Sequence, residues 1–336
     1  MSLLIFLSDR CNMTCDYCFL RLNGGAASVI GFEAARRAVS ENAARRPRGG
    51  VTILGGEPFL HYPLLQRLVL MIRARAPGGS IQIVTNGTLL TAGRIARLRE
   101  SGAQITVSLD GRPSAHDRHR RLIGRPGDSS LDLVLARLPP AERRGLRINM
   151  VVGEDTAASL LGVIEFLREN GFENISFHLN AVEDWSDAGL DALRKSLDGL
   201  ARYRRLLGAG GRSFSDILRA RASDRDYSGS AHAYDDVILG ADGRYYPCDG
   251  LFARRYAELG DWAIGGAESG VDWGKRARFH RQALDFIHGV IGEKAHLNCP
   301  RESYFRALAL GRDPAAAVRA FRRADLILEG TALSAS

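Results

Sequence analysis

Short apolar runs alternate with amphipathic segments along most of the chain. The runs are rich in Leu, Ile and Val, which favours strands, whereas the segments between them repeat apolar residues at helical spacing. The predicted strands are Leu3–Leu7, Val51–Leu54, Ile81–Val84, Ile105–Leu109, Leu146–Val152 and Asn174–Leu179. The predicted helices are Phe32–Arg45, Tyr62–Ala76, Thr91–Ser101, Leu131–Leu138, Ala157–Asn170 and Asp187–Leu207.

Strands that alternate with helices through short loops predict a parallel sheet with right-handed crossovers. Six such units, rather than the eight of a closed barrel, indicate an α/β fold class, a partial (β/α)6 TIM-like barrel over residues 1–207. Val51–Leu54 is a short apolar strand of the kind that a parallel sheet buries on both faces. The incomplete barrel would be open on one side and would admit a large substrate.

The pattern changes at the glycine-rich segment 208–212, where we place the boundary of a smaller domain over residues 208–336. Asp236–Leu239 and Arg244–Cys248 flank a turn that contains glycine, which predicts a β-hairpin. Helices are predicted at 276–290, 303–310 and 314–324, with a frayed tail over 330–336. This second region is therefore expected to be an α+β extension of the barrel.

Three of the five cysteines, Cys11, Cys15 and Cys18, follow directly on the first predicted strand. Three thiols so close together cannot all pair as disulfides, and soft thiolates suit iron–sulfur clusters or zinc. Structural zinc usually takes a second pair of Cys or His further along, and no such pair lies nearby. Three ligands would leave one iron of a four-iron cluster open, while zinc and metal-free buried cysteines are the alternatives.

Polar and glycine residues lie at or near the carboxyl ends of the other predicted strands. They are Gly55, Gly56, Glu57, Asn86, Ser108, Asp110, Asn149 and His178. The carboxyl ends of parallel barrel strands meet at one face, where such barrels have their active sites. We therefore expect these residues to surround the cysteine loop.

The C-x3-C-x2-C spacing, with Tyr17 directly before the third cysteine, resembles the signature of the radical S-adenosylmethionine (SAM) superfamily. Gly55-Gly56-Glu57-Pro58, one strand–helix unit later, resembles the GGEP motif of the same family. The resemblance implies a [4Fe–4S] cluster on Cys11, Cys15 and Cys18 whose open iron is chelated by SAM. It also implies that the reduced cluster cleaves SAM to methionine and a 5′-deoxyadenosyl radical, which removes a hydrogen atom from a substrate.

The resemblance further implies which residues hold SAM. Backbone carbonyls of Gly55 and Gly56, with the Glu57 carboxylate, would receive its amino group. The remaining cofactor contacts would be Tyr17, Asn86, Ser108, Asp110, Arg120 for the SAM carboxylate, and Asn149, His178 and Leu179 for the adenine and ribose. The alternatives are that Asn86 and Asp110 only form turns, that Arg120 is a surface arginine and that His178 is structural.

Ser108–Arg120 and Asp242–Cys248 resemble the SPASM/twitch peptide-maturase subgroup of that superfamily. A full SPASM extension uses seven or more cysteines for auxiliary clusters, but this chain adds only Cys248 and Cys299 to the three of the loop. We interpret the extension as degenerate, without a full auxiliary cluster; partial ligation and burial as small hydrophobes are alternatives. A catalytic interpretation is that the Cys248 thiol faces the active site and donates a hydrogen atom to a substrate radical.

The resemblance predicts an oxidoreductase or maturase whose substrate is a peptide undergoing crosslinking, epimerisation or oxidation. A sugar-derived or amino-acid-derived small molecule is the alternative, and a non-catalytic metal-binding interaction module is an alternative of another class. The expected electron donor is a flavodoxin or a ferredoxin-type protein. Against a peptide substrate, the chain starts directly at the first strand, without the extension that often captures leader peptides.

Composition and charge exclude other partners. The net charge of +8 comes almost entirely from arginine, because Lys195, Lys275 and Lys294 are the only lysines. Since no stacking aromatic residues are interleaved with the basic ones, we expect no nucleic-acid binding. No apolar stretch has the length of a membrane span and no secretory signal is present, so we expect no membrane partner and a cytoplasmic location.

Overall fold

The computed structural model of the chain describes residues 2–18, 20, 28–125, 127–180, 185–207, 236–292 and 300–334. The strands are β1 (Ser2–Phe6), β2 (Met13–Cys15), β3 (Gly50–Leu54), β4 (Ile81–Thr85), β5 (Ala103–Ser108), β6 (Arg120–Leu122), β7 (Arg147–Val152), β8 (Asn174–Leu179), β9 (Val237–Leu239), β10 (Tyr245–Tyr246), β11 (Gly265–Gly266) and β12 (Gly270–Val271). The α-helices are α1 (Phe32–Arg45), α2 (Tyr62–Arg75), α3 (Ala92–Glu100), α4 (Pro113–His119), α5 (Ser130–Arg137), α6 (Pro140–Arg143), α7 (Glu154–Ala157), α8 (Leu160–Glu169), α9 (Asp187–Leu207), α10 (Trp273–Ile291), α11 (Pro300–Leu310) and α12 (Pro314–Ser334). Within these described ranges, no helix is both long enough and apolar enough to cross a lipid bilayer.

The strands and helices predicted for the barrel are confirmed, with ends that shift by a few residues. The helix predicted at Ala157–Asn170 is divided, because α7 ends at Ala157 and α8 begins at Leu160. The three C-terminal helices are also confirmed, but α12 continues to Ser334. The prediction of a frayed tail is therefore wrong over 330–334. In the helical turn that precedes this segment, Ile327 packs against the main core.

One eight-stranded sheet organises the fold, in the order β10-β9-β1-β3-β4-β5-β7-β8. The six strands of the barrel stand side by side in chain order and are parallel. The predicted hairpin is confirmed: β9 is antiparallel to β10 and parallel to β1, with Val237 opposite Leu3. The hairpin thus extends the barrel sheet beyond β1, and the predicted boundary at 208–212 lies outside the described residues.

The two faces of the barrel sheet differ in burial. In β3, Val51 and Ile53 are buried, whereas Thr52 and Leu54, which alternate with them, are partly exposed. The buried pair packs with the helices into the main core, while the alternate pair faces the opposite, inner side of the sheet. On that inner side Leu54 packs against a second apolar cluster, but both Thr52 and Leu54 stay partly exposed. The prediction that Val51–Leu54 is buried on both faces is therefore wrong, because the inner face is only partly covered.

A second apolar cluster joins the hairpin to the C-terminal helices. Phe252 meets Phe6 and Tyr246 edge-on, with ring centroids 4.7 and 5.1 Å apart, and Phe305 of α11 belongs to the same cluster. Because Phe6 is the last residue of β1, this packing holds the region after β10 beside the carboxyl end of the first strand.

Candidate active site

The three clustered cysteines lie on the loop after β1, and their thiols affect one another. Burial raises the pKa of Cys11 to about 12, and the proximity of Glu57, Cys15 and Cys18 adds to the rise. Burial also raises the pKa of Cys15 to about 11, although Arg120 opposes this rise. The raised pKa values favour the protonated thiols of Cys11 and Cys15 at neutral pH, and binding of a metal centre would release these protons.

The donor set fits an iron–sulfur cluster better than a single zinc ion. Three soft thiols on one loop suit a four-iron cluster whose fourth iron takes a non-protein ligand. A structural zinc site needs four protein ligands at one tetrahedral centre, whereas this loop offers three cysteines.

A two-stranded antiparallel ribbon connects the cysteine loop to the segment that follows α4. β2 pairs antiparallel with β6, and Cys15 lies opposite Arg120. The backbone N–H of Asp16 donates to the carbonyl of His119 at 3.1 Å, and the Asp16 carboxylate pairs with Arg121. Strands of three residues carry no readable period, which is why sequence reasoning missed the ribbon and these contacts.

The two glycines of the GGEP turn lie directly against the cysteine loop. A Cβ on Gly55, which has φ +147°, would be 2.4 Å from the carbonyl oxygen of Ser8, and one on Gly56 would be 2.0 Å from that of Arg10. The N–H groups of Gly56 and Glu57 donate to the same two carbonyls, each at 2.7 Å. The glycines are therefore required for the packing of this turn on the chain leading to Cys11.

Glu57 is fully buried and its carboxylate is held by protein donors. Oε1 accepts from the Phe59 N–H at 3.0 Å and from the Thr85 hydroxyl at 2.7 Å, and Oε2 accepts from the Asn86 N–H at 2.8 Å. Burial raises the pKa of Glu57, and these three donors oppose the rise. The carboxylate ties the end of β3 to the end of β4, and its contact with the SAM amino group stays a prediction.

The Asn86 side chain also braces the cysteine loop. Its Nδ2 donates to Asn12 Oδ1 at 2.8 Å and lies 3.9 Å from Cys11 Sγ, while its Oδ1 accepts from the Thr88 N–H at 3.0 Å. Asn12 in turn donates to the Thr88 hydroxyl at 2.8 Å. Sequence reasoning named Asn86 but missed Asn12 and Thr88, because nothing local links two turns so far apart in the chain.

Asp110 and Arg120 form a buried bidentate ion pair. Arg120 Nε donates to Asp110 Oδ2 at 2.7 Å and Nη2 to Oδ1 at 3.1 Å; the Val151 N–H and the Tyr17 hydroxyl also donate to this carboxylate. Burial alone would raise the pKa of Asp110, but the adjacent guanidinium lowers it overall. The Arg120 fork thus faces Asp110 in the structure, and its contact with the SAM carboxylate stays a prediction.

Polar side chains form a row across three strands on the inner face. Ser108 lies opposite Asn149 and Asn149 opposite Ser176, whose hydroxyl is 3.4 Å from Asn149 Oδ1. His178 is exposed two residues further along the same side of β8, whereas the Leu179 side chain is buried in the main core. Only the backbone of Leu179 is left for a cofactor contact. Ser176 was missed, although its spacing of two from His178 could have indicated it.

Cys248 lies in the second apolar cluster, where 8% of its surface is exposed. Its Sγ donates to Asp249 Oδ1 at 3.7 Å, and Cys18 packs against the same cluster. The role of the Cys248 thiol as a hydrogen-atom donor stays a prediction. Cys299 lies outside the described residues.

Comparison with known proteins defines the class of this chain. The sequence model of the Radical SAM superfamily matches residues 5–180, which include the end of β1, the cysteine loop and the other five strands of the barrel. The chain belongs to the radical SAM superfamily. Its identification as a radical SAM enzyme with an α/β partial barrel, a [4Fe–4S] cluster and SAM is confirmed.

Relatives with different substrates resemble the chain. It is 35% identical to the GTP 3',8-cyclase of Parasynechococcus marenigrum (strain WH8102) over 221 residues, which cover 59% of this chain and 62% of that enzyme. This match thus spans less than two thirds of the cyclase. The chain is 25% identical to the serine-type anaerobic sulfatase-maturating enzyme of Klebsiella aerogenes over 321 residues, which cover 87% of this chain and 79% of that enzyme.

Solved structures share the fold along the whole chain. The structure of native anSMEcpe with bound AdoMet has a TM-score of 0.72 at 18% identity and covers 99% of this chain and 98% of that one. With AdoMet and the Cp18Cys peptide, the same protein gives a TM-score of 0.71 at 19% identity, covering 100% and 99%. The predicted resemblance to the SPASM/twitch peptide-maturase subgroup is consistent with this likeness.

Proposed function

We propose that this radical SAM enzyme acts on a peptide and removes a hydrogen atom from one of its residues during crosslinking, epimerisation or oxidation. The observation that carries the proposal is the half-open inner face of the sheet, with its polar row of Ser108, Asn149 and Ser176. At β1 and the hairpin the second apolar cluster covers the inner face, so the open part of the face lies along β5, β7 and β8. An open, polar face suits an extended chain, and a solved structure of anSMEcpe, which has the same fold, contains a bound peptide.

The residues of the chain would divide the work as follows. Cys11, Cys15 and Cys18 would hold the cluster, which together with SAM supplies a 5′-deoxyadenosyl radical when both are bound. Glu57 and Asn86 support the cysteine loop through hydrogen bonds. Glu57 accepts from the Asn86 N–H, and the Asn86 side chain donates to Asn12 of the loop. The polar row presents hydroxyl and amide groups on the inner face, where SAM and the substrate would lie.

A small-molecule substrate is the second candidate. The higher identity to the GTP 3',8-cyclase favours it, although that match covers 59% of the chain against 87% for the sulfatase-maturating relative. The two candidates differ in what must reach the inner face, a nucleotide-sized molecule or an extended chain. They can therefore be separated with substrates of the two classes.

The test is anaerobic reconstitution with iron and sulfide, followed by dithionite and SAM. We expect about four irons per chain. 5′-Deoxyadenosine should carry deuterium when a mixture of perdeuterated synthetic peptides is supplied, but not when deuterated GTP is supplied. The reverse result would favour the nucleotide class. The Cys15→Ala variant is the control, and deuterium transfer from neither class at full cluster loading would refute both candidates.

Two further assignments are part of the proposal. The electron donor would be a flavodoxin or ferredoxin-type protein, and the enzyme would work in the cytoplasm, where reducing conditions protect free thiolates.

Cys248 would act as the hydrogen-atom donor to a substrate radical. The alternative for Cys248 is a purely structural role, since its cluster of aromatic neighbours would hold any small apolar side chain.

A further inference from the structure

We propose that Arg120 and Asp110 act as positioning residues that set the reduction potential of the cluster: Arg120 hydrogen-bonds the Cys15 sulfur, and Asp110 balances its charge. The proposal uses the cluster assignment of the superfamily and is independent of the substrate. It gives this ion pair a task that does not involve contact with SAM.

The backbone fixes Arg120 next to Cys15. The ladder between β2 and β6 sets the two residues opposite each other, so their side chains leave the same side of the ribbon. The neighbouring pair, Thr14 and Arg121, points to the other side, where Thr14 is exposed and Arg121 is partly exposed. The guanidinium therefore lies on the Cys15 side of the ribbon, where its positive charge opposes the rise in the pKa of the Cys15 thiol.

The guanidinium cannot easily turn elsewhere. Arg120 is 7% exposed and Asp110 is 3% exposed. Two of the Arg120 nitrogens are engaged by the Asp110 carboxylate, which also accepts from the Val151 N–H and the Tyr17 hydroxyl. The guanidinium carbon lies 5.1 Å from the centroid of the Tyr17 ring. The donor to Cys15 is therefore pre-oriented by contacts on several sides.

The consequence for the cluster follows from charge. One-electron reduction adds one negative charge and no proton, so a cation that hydrogen-bonds a ligand sulfur favours the reduced form and raises the potential. Low local dielectric strengthens this effect. The Asp110 carboxylate acts in the opposite direction, and the ion pair as a whole is neutral. The pair can thus orient the donor without making the cluster a weak reductant.

The experiment is a redox titration of the reconstituted full-length protein in the absence of SAM, followed by EPR of the reduced cluster. Asp110→Asn should shift the midpoint potential to a more positive value, because the Arg120 charge is no longer balanced. Tyr17→Phe keeps the carboxylate but removes one donor to it, so it should shift the potential in the negative direction. Arg118→Gln is the matched control: Arg118 is exposed, pairs with Asp155 and should leave the potential unchanged.

Three outcomes would overturn the proposal. The potential could be the same in Asp110→Asn as in the wild type, it could shift equally in Arg118→Gln, or both site variants could shift it in the same direction. An unchanged potential with weaker SAM binding in these variants would assign the pair to the cofactor carboxylate instead. If Asp110→Asn retains too little iron, Arg120→Gln replaces it. That variant removes the cation and leaves the carboxylate, so the potential should shift in the negative direction, and an unchanged or more positive potential would refute the charge argument.

Discussion

Replacement of Glu57 by Gln tests whether the GGEP turn is held by a buried carboxylate. The three bonds to Oε1 and Oε2 come from two backbone N–H groups and one hydroxyl, at 2.7 to 3.0 Å. A glutamine amide has one acceptor oxygen, so in either orientation its NH2 group must face at least one backbone donor.

The expected loss follows from these bonds. Hydrogen bonds to a charged group contribute about 1.5–3 kcal/mol each, and a buried donor left unpaired costs about 1–3 kcal/mol. Because burial raises the pKa of Glu57, removal of the charge returns part of this loss. We therefore expect the free energy of unfolding to fall by about 2–3 kcal/mol.

The assay is urea unfolding of the apo protein under reducing conditions, with the midpoint and slope fitted together. Glu100→Gln is the matched control, because Glu100 is exposed at the end of α3 and should change stability by less than about 0.5 kcal/mol. A Glu57→Gln protein as stable as this control would refute the argument that the carboxylate holds the turn.

Three other perturbations test the rest of the site. Gly56→Ala would bring a Cβ to 2.0 Å from the Arg10 carbonyl oxygen, so we expect the loop to shift and the iron content per chain to fall by more than half. Cys248→Ser should still form 5′-deoxyadenosine but should lose incorporation of solvent deuterium into the product; retained incorporation would exclude the thiol as the hydrogen-atom donor. The lowered pKa of Asp110 contributes stability that is complete above its unfolded value of 3.8 and is lost as the pH falls through the folded value. Unfolding free energies should therefore fall more steeply in the wild type than in Asp110→Asn as the pH is lowered from about 4 to about 2, and equal slopes there would contradict the assignment.

Most of the barrel could be predicted because its information is local. Apolar runs such as Ile81–Val84 and Ile105–Leu109 carry the strand signal within a few residues, and the Cys11, Cys15 and Cys18 spacing lies in one loop. The class of cofactor follows from that spacing, since ligand type and number limit which metal centre can bind. The partial exposure of the inner face of β3 could not be predicted, because it depends on where the barrel stays open.

The sequence alone therefore determined the strand–helix order, the cysteine loop and the candidate polar residues at the strand ends. Tertiary structure alone decided what those residues contact: Glu57 accepts hydrogen bonds from Thr85 and Asn86 at the end of β4, Arg120 pairs with Asp110, and Leu179 turns into the core. The reason is physical. A residue's type and local period depend on its near neighbours in the chain, whereas the partner of a buried charge is whichever group the fold brings within hydrogen-bonding distance.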